Sequence, residues 1–285
     1  MWEIGILTVK SPLECGPDSP GTNPILTAAH VTDIEAEFVA DPFMISRNGI
    51  WYLFFETLRK DTGAGEIGLA VSTDLVSWQY QRIVLREPFH LSYPYVFEWE
   101  GSYYMIPETL GAAEIRLYRS IDFPFEWRCV GSLIQGTHAD PSIFRQGGEW
   151  WIFACDTPST HRSLRLYGAP DLKGPWVEHR ASPIVRSDAR NARPAGRVIT
   201  FDGQLIRFAQ DCSVEYGARV WAFAISCLDQ EAYGERRASI EPVIGPGTNG
   251  CWRTSRMHHI DVQADCAGSC VACVDGWPVR GDDAG

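Results

Sequence analysis

The chain has 285 residues, of which 45% are hydrophobic and 12% aromatic, and a formal charge of −11. That is enough apolar material for a full core, and all-β folds routinely pass ~200 residues as one unit. No Lys/Arg cluster interrupts the acidic balance, which excludes the electrostatic footprint of a nucleic-acid or anionic-membrane binder.

The first residues, Met1 to Leu7, carry neither a basic nor a long apolar region, so they are read as a strand and not as a signal peptide. No stretch approaches the ~18 apolar residues of a membrane span. Nine cysteines, an odd number, fit reduced thiols and a cytoplasmic location better than a disulfide framework. Cys266, Cys270 and Cys273 have the spacing C-x3-C-x2-C, with no fourth Cys or His in reach, and read as strand cysteines. No metal and no cofactor is expected.

Along the chain one unit recurs: a polar residue, usually a proline, an apolar run, a Gly-containing turn, an aromatic run, then an acid. The copies run from Asp41-Pro42 to Glu56, Tyr93-Pro94 to Glu108, Asp140-Pro141 to Asp156, and Arg193-Pro194 to Asp211. A degraded fifth runs from His258-His259 to Asp275. The four prolines are 52, 47 and 53 residues apart, a period that marks propeller blades. Asn48-Gly49, Glu100-Gly101, Gly147-Gly148 and Asp202-Gly203 are the hairpin turns. Outer strands follow, with Ser72, Asp74 and Trp78 echoed by Ser120, Asp122 and Trp127.

The fifth blade runs out of chain, and its missing half sits at the other end: Glu3-Ile4-Gly5-Ile6-Leu7 echoes Glu66-Ile67-Gly68-Leu69-Ala70. The reading is therefore all-β, one five-bladed β-propeller over residues 1–285, closed by its N-terminal strand. The expected blades are about 36–87, 88–136, 137–186, 190–246, and 255–279 with 2–28. Closure removes the open sheet edges that invite aggregation.

Hairpin symmetry about the turns sets Asp41 opposite Glu56, Tyr93 opposite Glu108, Asp140 opposite Asp156, Arg193 opposite Asp211, and His258 opposite Asp275. All five open ends should meet on one face of the channel, with Arg197 and His259 nearby. Converging carboxylates push their pKa values apart, which acid/base chemistry uses. An Asp before Pro can also simply start a strand, and a terminal acid can cap a loop. Trp51-Tyr52, Tyr103-Tyr104 and Trp150-Trp151 read mainly as packing between blades. Strand alternation allows at most one of His258 and His259 to face the channel.

The Asp-Pro strand starts, the S-x-D-x3-W outer motif and the period resemble the five-bladed propeller glycosidases. Over nearly the whole chain the sequence resembles the N-terminal propeller domain of plant glucosamine inositolphosphorylceramide transferases and its bacterial stand-alone relatives. The matching stretches are Ala36 to Met44, Pro88 to Phe97, Met105 to Thr109 and Met257 to Asp261. The glycosidase resemblance implies Asp41 as base or nucleophile and Asp140 as the residue orienting substrate. Blade four offers Arg193 where that group has its acid Glu, so the acid falls to Glu108, then Glu56, then Glu215. Glu56, Tyr93, Asp156, Arg193, Arg197, Asp211, His258, His259 and Asp275 are the expected substrate contacts. The expected partner is a small carbohydrate or glycoside, cleaved or transferred by paired carboxylates. The alternative is a catalytically silent sugar-binding module.

Overall fold

A computed structural model describes residues 1–16, 23–247, 251–264 and 270–278. Five antiparallel sheets follow one another around a ring. The first is Ala36–Arg47, Ile50–Arg59, Gly65–Ser72 and Gln79–Leu85, in that order from the channel outward. The second, Ser92–Trp99 to Glu126–Gln135, and the third, Ala139–Gln146 to Val177–Glu178, repeat it. In the fourth, Arg193–Pro194 and Ile199–Phe201 both pair with Gln204–Asp211, and Arg219–Leu228 and Tyr233–Arg237 lie outside.

The fifth blade is built from both ends of the sequence. Ile260–Ala264 and Cys270–Gly276 supply its inner half, and Glu3–Ser11 and Glu14–Cys15 its outer half. Seven residue pairs, from Glu3↔Gly276 to Val9↔Cys270, join the two ends. Alternation along the N-terminal strand then bridges two neighbours. Leu7 and Val9 pack with Ile206 and Phe208 of blade four. Ile4, on the opposite face, packs with Leu26, Met44 and Leu53 toward blade one.

The same two-faced burial explains the paired aromatics of blade three. Trp150 and Ile152 face blade two, while Trp151 and Phe153 join Val198 and Ile225 of blade four. A strand buried on both faces needs large apolar residues at every position, as in Trp150-Trp151-Ile152-Phe153. The expected turns hold too: both residues of Asn48-Gly49, Glu100-Gly101, Gly147-Gly148 and Asp202-Gly203 have positive φ. The tight two-residue hairpin demands that geometry. In the outer motif, Asp74 accepts the Val76 and Ser77 amides, and the indoles of Trp78, Trp127 and Trp176 donate to carbonyls three or four residues earlier. Those residues are corner pieces of the fold.

Cys270 and Cys273 lie three apart on one strand, hence on opposite faces, and cannot share a metal. Cys266 lies outside the described residues. No helix among the described residues is long and apolar enough to cross a membrane.

Removing residues 1–8 takes Ile4 and Leu7 out of two inter-blade cores and leaves Cys270–Gly276 as an open edge. The truncated chain should lose the single cooperative thermal transition of the full chain, as followed by far-UV circular dichroism. An unchanged transition would show that closure does not depend on this strand.

Candidate functional site

The register at the channel differs by one residue from hairpin symmetry. Glu56 lies opposite Ala40, Glu108 opposite Ser92, and Cys155 opposite Ala139. The cause is a bulge at the residue before each proline. Pro has no N–H to give the ladder, and the extra residue is pushed out of register. Asp41, Tyr93 and Asp140 occupy this position with φ of 50°, 50° and 51°, a left-handed conformation uncommon outside glycine. Such a backbone costs of order 1–3 kcal/mol each and re-aims the side chain. In the fourth blade the irregularity falls after the proline: Pro194 pairs with Ala209 and Ile199 with Ile206, two extra residues on the inner strand, so Arg193 meets Gln210 and Asp211 is not its opposite number. In the fifth, Ile260 opposite Val274 sets His259, not His258, against Asp275.

The bulged residues hand their amides to the blade before. The Asp41 N–H donates to Asp275 Oδ2 at 3.0 Å, and that of Asp140 to Glu108 Oε2 at 3.1 Å. A belt of acids results, with Asp41, Glu56, Glu108, Asp140 and Asp275 all buried. Arg193 enters from blade four and forks onto Asp140, at 2.6 and 3.2 Å, with Glu108 Oε2 at 3.6 Å. Gln210 also donates to Asp140, at 2.9 Å.

Asp275 organises the opposite side. Its Oδ1 accepts the amides of His258 and His259, and its Oδ2 lies 2.7 Å from His258 Nδ1. His258 Nε2 points to Asp41 at 3.7 Å, and His259 Nδ1 lies 3.8 Å from the same carboxylate. Both imidazoles thus approach Asp41, against the alternation expected, because the strand begins only at Ile260. The Trp2 ring stacks on His258 at 4.0 Å and 8°. Gly217, at φ +68°, packs over this pair, where a Cβ would come within 2.6 Å of His258.

About three residues deeper along the strands, a second layer closes the channel. Arg197 donates to Asp261 Oδ1 at 2.8 Å and to the Val96 carbonyl at 3.0 Å. Asp261 accepts the Met44 amide. The Tyr93 hydroxyl meets Ser142 Oγ at 2.7 Å and accepts the Gly196 amide at 2.6 Å. Gly196 is required there, since a Cβ would lie 1.8 Å from the Ile260 carbonyl oxygen.

Of the expected contacts, Asp41, Glu56, Glu108, Asp140, Arg193, His258, His259 and Asp275 therefore meet in one layer. Tyr93 and Arg197 form the floor beneath it, with Tyr93 fully buried. Asp156 is drawn away to Arg165 at 2.5 Å, and Asp211 to Ser213 and the Trp221 indole. Glu215 is half exposed and nearest Arg256. Trp2, His90, His161, Gln210 and Tyr216 belong to the site and escaped the sequence reading. His90 approaches Glu56 at 3.3 Å, His161 accepts from Arg193 at 3.1 Å, and Arg193 lies 5.1 Å over the Tyr216 ring.

Electrostatics follow from this crowding. Burial, and then Asp140 among the neighbouring acids, pushes Asp41 up to about 7. Burial and Asp140 push Glu108 up to about 8, with Arg193 pulling the other way. Glu56 is held well above the usual carboxylate range by burial and by Asp41 and Glu108. Burial disfavours a charged His258, yet Asp275 outweighs it and lifts the ring above its ordinary value. His259, buried without such a partner, falls to about 4. Asp41, His258 and Asp275 could approach one metal ion, their ligand atoms lying within 4.8 Å of one another. Asp275 is already occupied by three amides and an imidazole, which leaves a donor set of two.

Residues 2–277 match the family described as glucosamine inositolphosphorylceramide transferase 1, N-terminal. The chain belongs to that family. It is 38% identical over 302 residues to glucosamine inositolphosphorylceramide transferase 1 of Oryza sativa subsp. japonica, covering 99% of this chain and 41% of that one. The Arabidopsis thaliana protein of the same name is 31% identical, with 99% and 40% covered. The chain thus spans about two-fifths of these relatives. Among solved structures, a glycosyl hydrolase from Bacteroides ovatus superposes with TM-score 0.65 at 13% identity, covering 96% and 97% of the two chains. A family 117 glycoside hydrolase from Zobellia galactanivorans gives 0.57 at 15%, with 96% and 90% covered. These likenesses carry the propeller fold.

The raised acids make a stability prediction. Their folded pKa values exceed the unfolded ~4, so the folded state holds extra protons between pH ~4 and ~8. Their contribution is full below pH ~4 and is lost as pH rises through 7 to 8. Glu56→Gln keeps the shape and removes one charge. It should raise Tm by roughly 5 °C at pH 8 and leave it nearly unchanged at pH 5. A lower Tm at pH 8 would contradict this sign.

Proposed function

We propose that this propeller acts on a glycoside in its central funnel, with Glu108 as general acid and Asp41 as base or nucleophile. The observation that carries the reading is that both carboxylates are buried in one belt around Asp140, where burial and that acid hold each of them above the usual carboxylate range. Acids held above their ordinary range in one cluster let one keep its proton near neutral pH while another is ionised. Such a pair can protonate a leaving oxygen and activate water, or attack an anomeric carbon. Asp140, clamped by Arg193 and Gln210, orients Glu108 through its amide and raises its pKa by its charge.

The hydrolase fold of the structural neighbours and the transferase name of the relatives support carbohydrate chemistry. The reading assigns no metal or cofactor to the reaction, because among the described residues Asp275 is held by three amides and an imidazole, and Asp41 and His258 remain as ligands. A cytoplasmic location remains part of the proposal, supported by the free thiols of Cys129, Cys155, Cys212 and Cys273.

A second reading, a silent sugar-binding module, has one observation in its favour. The blade-four position holds Arg193, which ties up Asp140 and approaches Glu108.

The readings differ in a pH profile and a mutant. An enzyme should show kcat/KM rising through pH ~7 and falling through ~8, on aryl glycosides screened by chromophore release. Asp41→Asn should abolish turnover while weakening ligand binding less than about tenfold, ~1.4 kcal/mol. A binding module would give no turnover on any glycoside and a larger loss of affinity in Asp41→Asn.

A further inference from the structure

Two imidazoles point at one carboxylate oxygen, and neither reaches it. His258 Nε2 lies 3.7 Å from Asp41 Oδ1, and His259 Nδ1 lies 3.8 Å from the same atom. Both gaps exceed a hydrogen bond, which needs ~3 Å between heavy atoms. Among the described residues nothing donates a hydrogen bond to the Asp41 carboxylate, although that side chain is buried. Independently, both ring nitrogens of the fully buried His259 lack a hydrogen-bond partner. Buried polar groups are paired as a rule, with protein or with ordered water.

The surroundings of the two rings keep them from closing on Asp41. His258 is held at Nδ1 by Asp275, 2.7 Å away, and on its face by the stacked Trp2 ring. His259 is wedged edge-on against Phe43 and Tyr93, with ring centroids 4.6 and 5.2 Å away. The amides of both histidines are tied to Asp275 Oδ1, and the Asp41 amide to Asp275 Oδ2. One acid thus fixes the backbone on both sides of the gap. What remains is a space framed by three polar atoms, the kind of site that an ordered water fills.

We propose that one water sits between Asp41 Oδ1, His258 Nε2 and His259 Nδ1, and is the molecule that attacks the anomeric carbon. The proposal rests on the glycoside reading above. It also chooses between the two roles given there to Asp41, because a base needs a water beside it and a nucleophile does not. A water can give its protons to Asp41 and one imidazole and accept from the other. A single lone pair is then left for the channel. In the reaction Asp41 takes one proton of the water as the water oxygen bonds to the anomeric carbon. The bond from that carbon to the leaving oxygen breaks, and the proton of Glu108 passes to that oxygen. One water is consumed, and the products are a sugar of inverted configuration and an alcohol. Proton exchange with solvent restores both acids.

Two measurements on the wild-type chain test this. A crystal structure that resolves solvent should hold one water bonded to all three atoms. An empty site there, or a metal ion in it, overturns the proposal. With an aryl glycoside that the chain turns over, proton NMR of the first product should show the anomer opposite to that of the substrate. Retention overturns this proposal and leaves the glycoside reading standing, with Asp41 as nucleophile. No turnover of any aryl glycoside overturns the catalytic reading and this proposal with it. His259→Asn keeps a polar amide near the position of Nδ1 and should keep kcat within about tenfold. His259→Leu should lower kcat roughly hundredfold with KM little changed. Equal losses in the two variants, each checked for folding by its thermal transition, would overturn the role of His259 in holding the water.

Discussion

Everything in this propeller turns on bringing charged side chains to the axis of a ring that excludes most water. Five strand starts meet at one level, and three of them lift a side chain inward by a bulge before proline. An isolated carboxylate there would pay a desolvation cost of several kcal/mol. The site consists of the devices that reduce this cost: a forked arginine, a histidine pair, and backbone amides passed from blade to blade. Where compensation is complete, as at Asp275, the acid stays below its usual range. Where it is partial, as at Asp41, Glu56 and Glu108, the proton is retained toward neutral pH.

Reading from the sequence succeeded where a local rule sufficed. A period near fifty, four two-residue turns ending in Gly, and an N-terminal echo of an outer strand are local signals, and each has its counterpart in the sheets. The site was legible by residue type but not by register. Symmetry about a turn assumes an unbroken ladder, and the proline after Asp41, Tyr93 and Asp140 breaks it. The one-residue shift leaves Asp156 outside the cluster and gives it to Arg165. It also seats Tyr93 in the floor, bonded to Ser142 and Gly196. The proline itself was the available signal, because a residue that cannot donate marks a bulge as readily as a strand start.

The residues that were missed share a different reason. Trp2, His90, His161 and Tyr216 lie on strand ends and loops whose positions depend on neighbouring blades. His90 stood inside a quoted stretch, Pro88 to Phe97, yet nothing in its spacing shows that it faces Glu56 of the preceding blade. Tyr216 reaches the funnel only because Gly217 lets its loop fold over His258. Contacts between blades are long-range in sequence, and a repeat reading describes each blade alone.

Ring closure and site chemistry are the same event at Trp2. The N-terminal strand enters its blade through the pairing of Glu3 with Gly276, which fixes the backbone one residue from the Trp2 ring. That ring covers one face of His258, and Asp275, on the strand paired with Ile4, holds the imidazole by its edge. The histidine so fixed is the one whose other nitrogen faces Asp41. A chain that has not closed lacks the stacking partner, and the strand of Asp275 is then held from one side alone, by Ile260–Ala264. The strand that seals the hydrophobic ring thereby also sets the electrostatic environment of the carboxylate at the first blade. A folded but open ring would have neither.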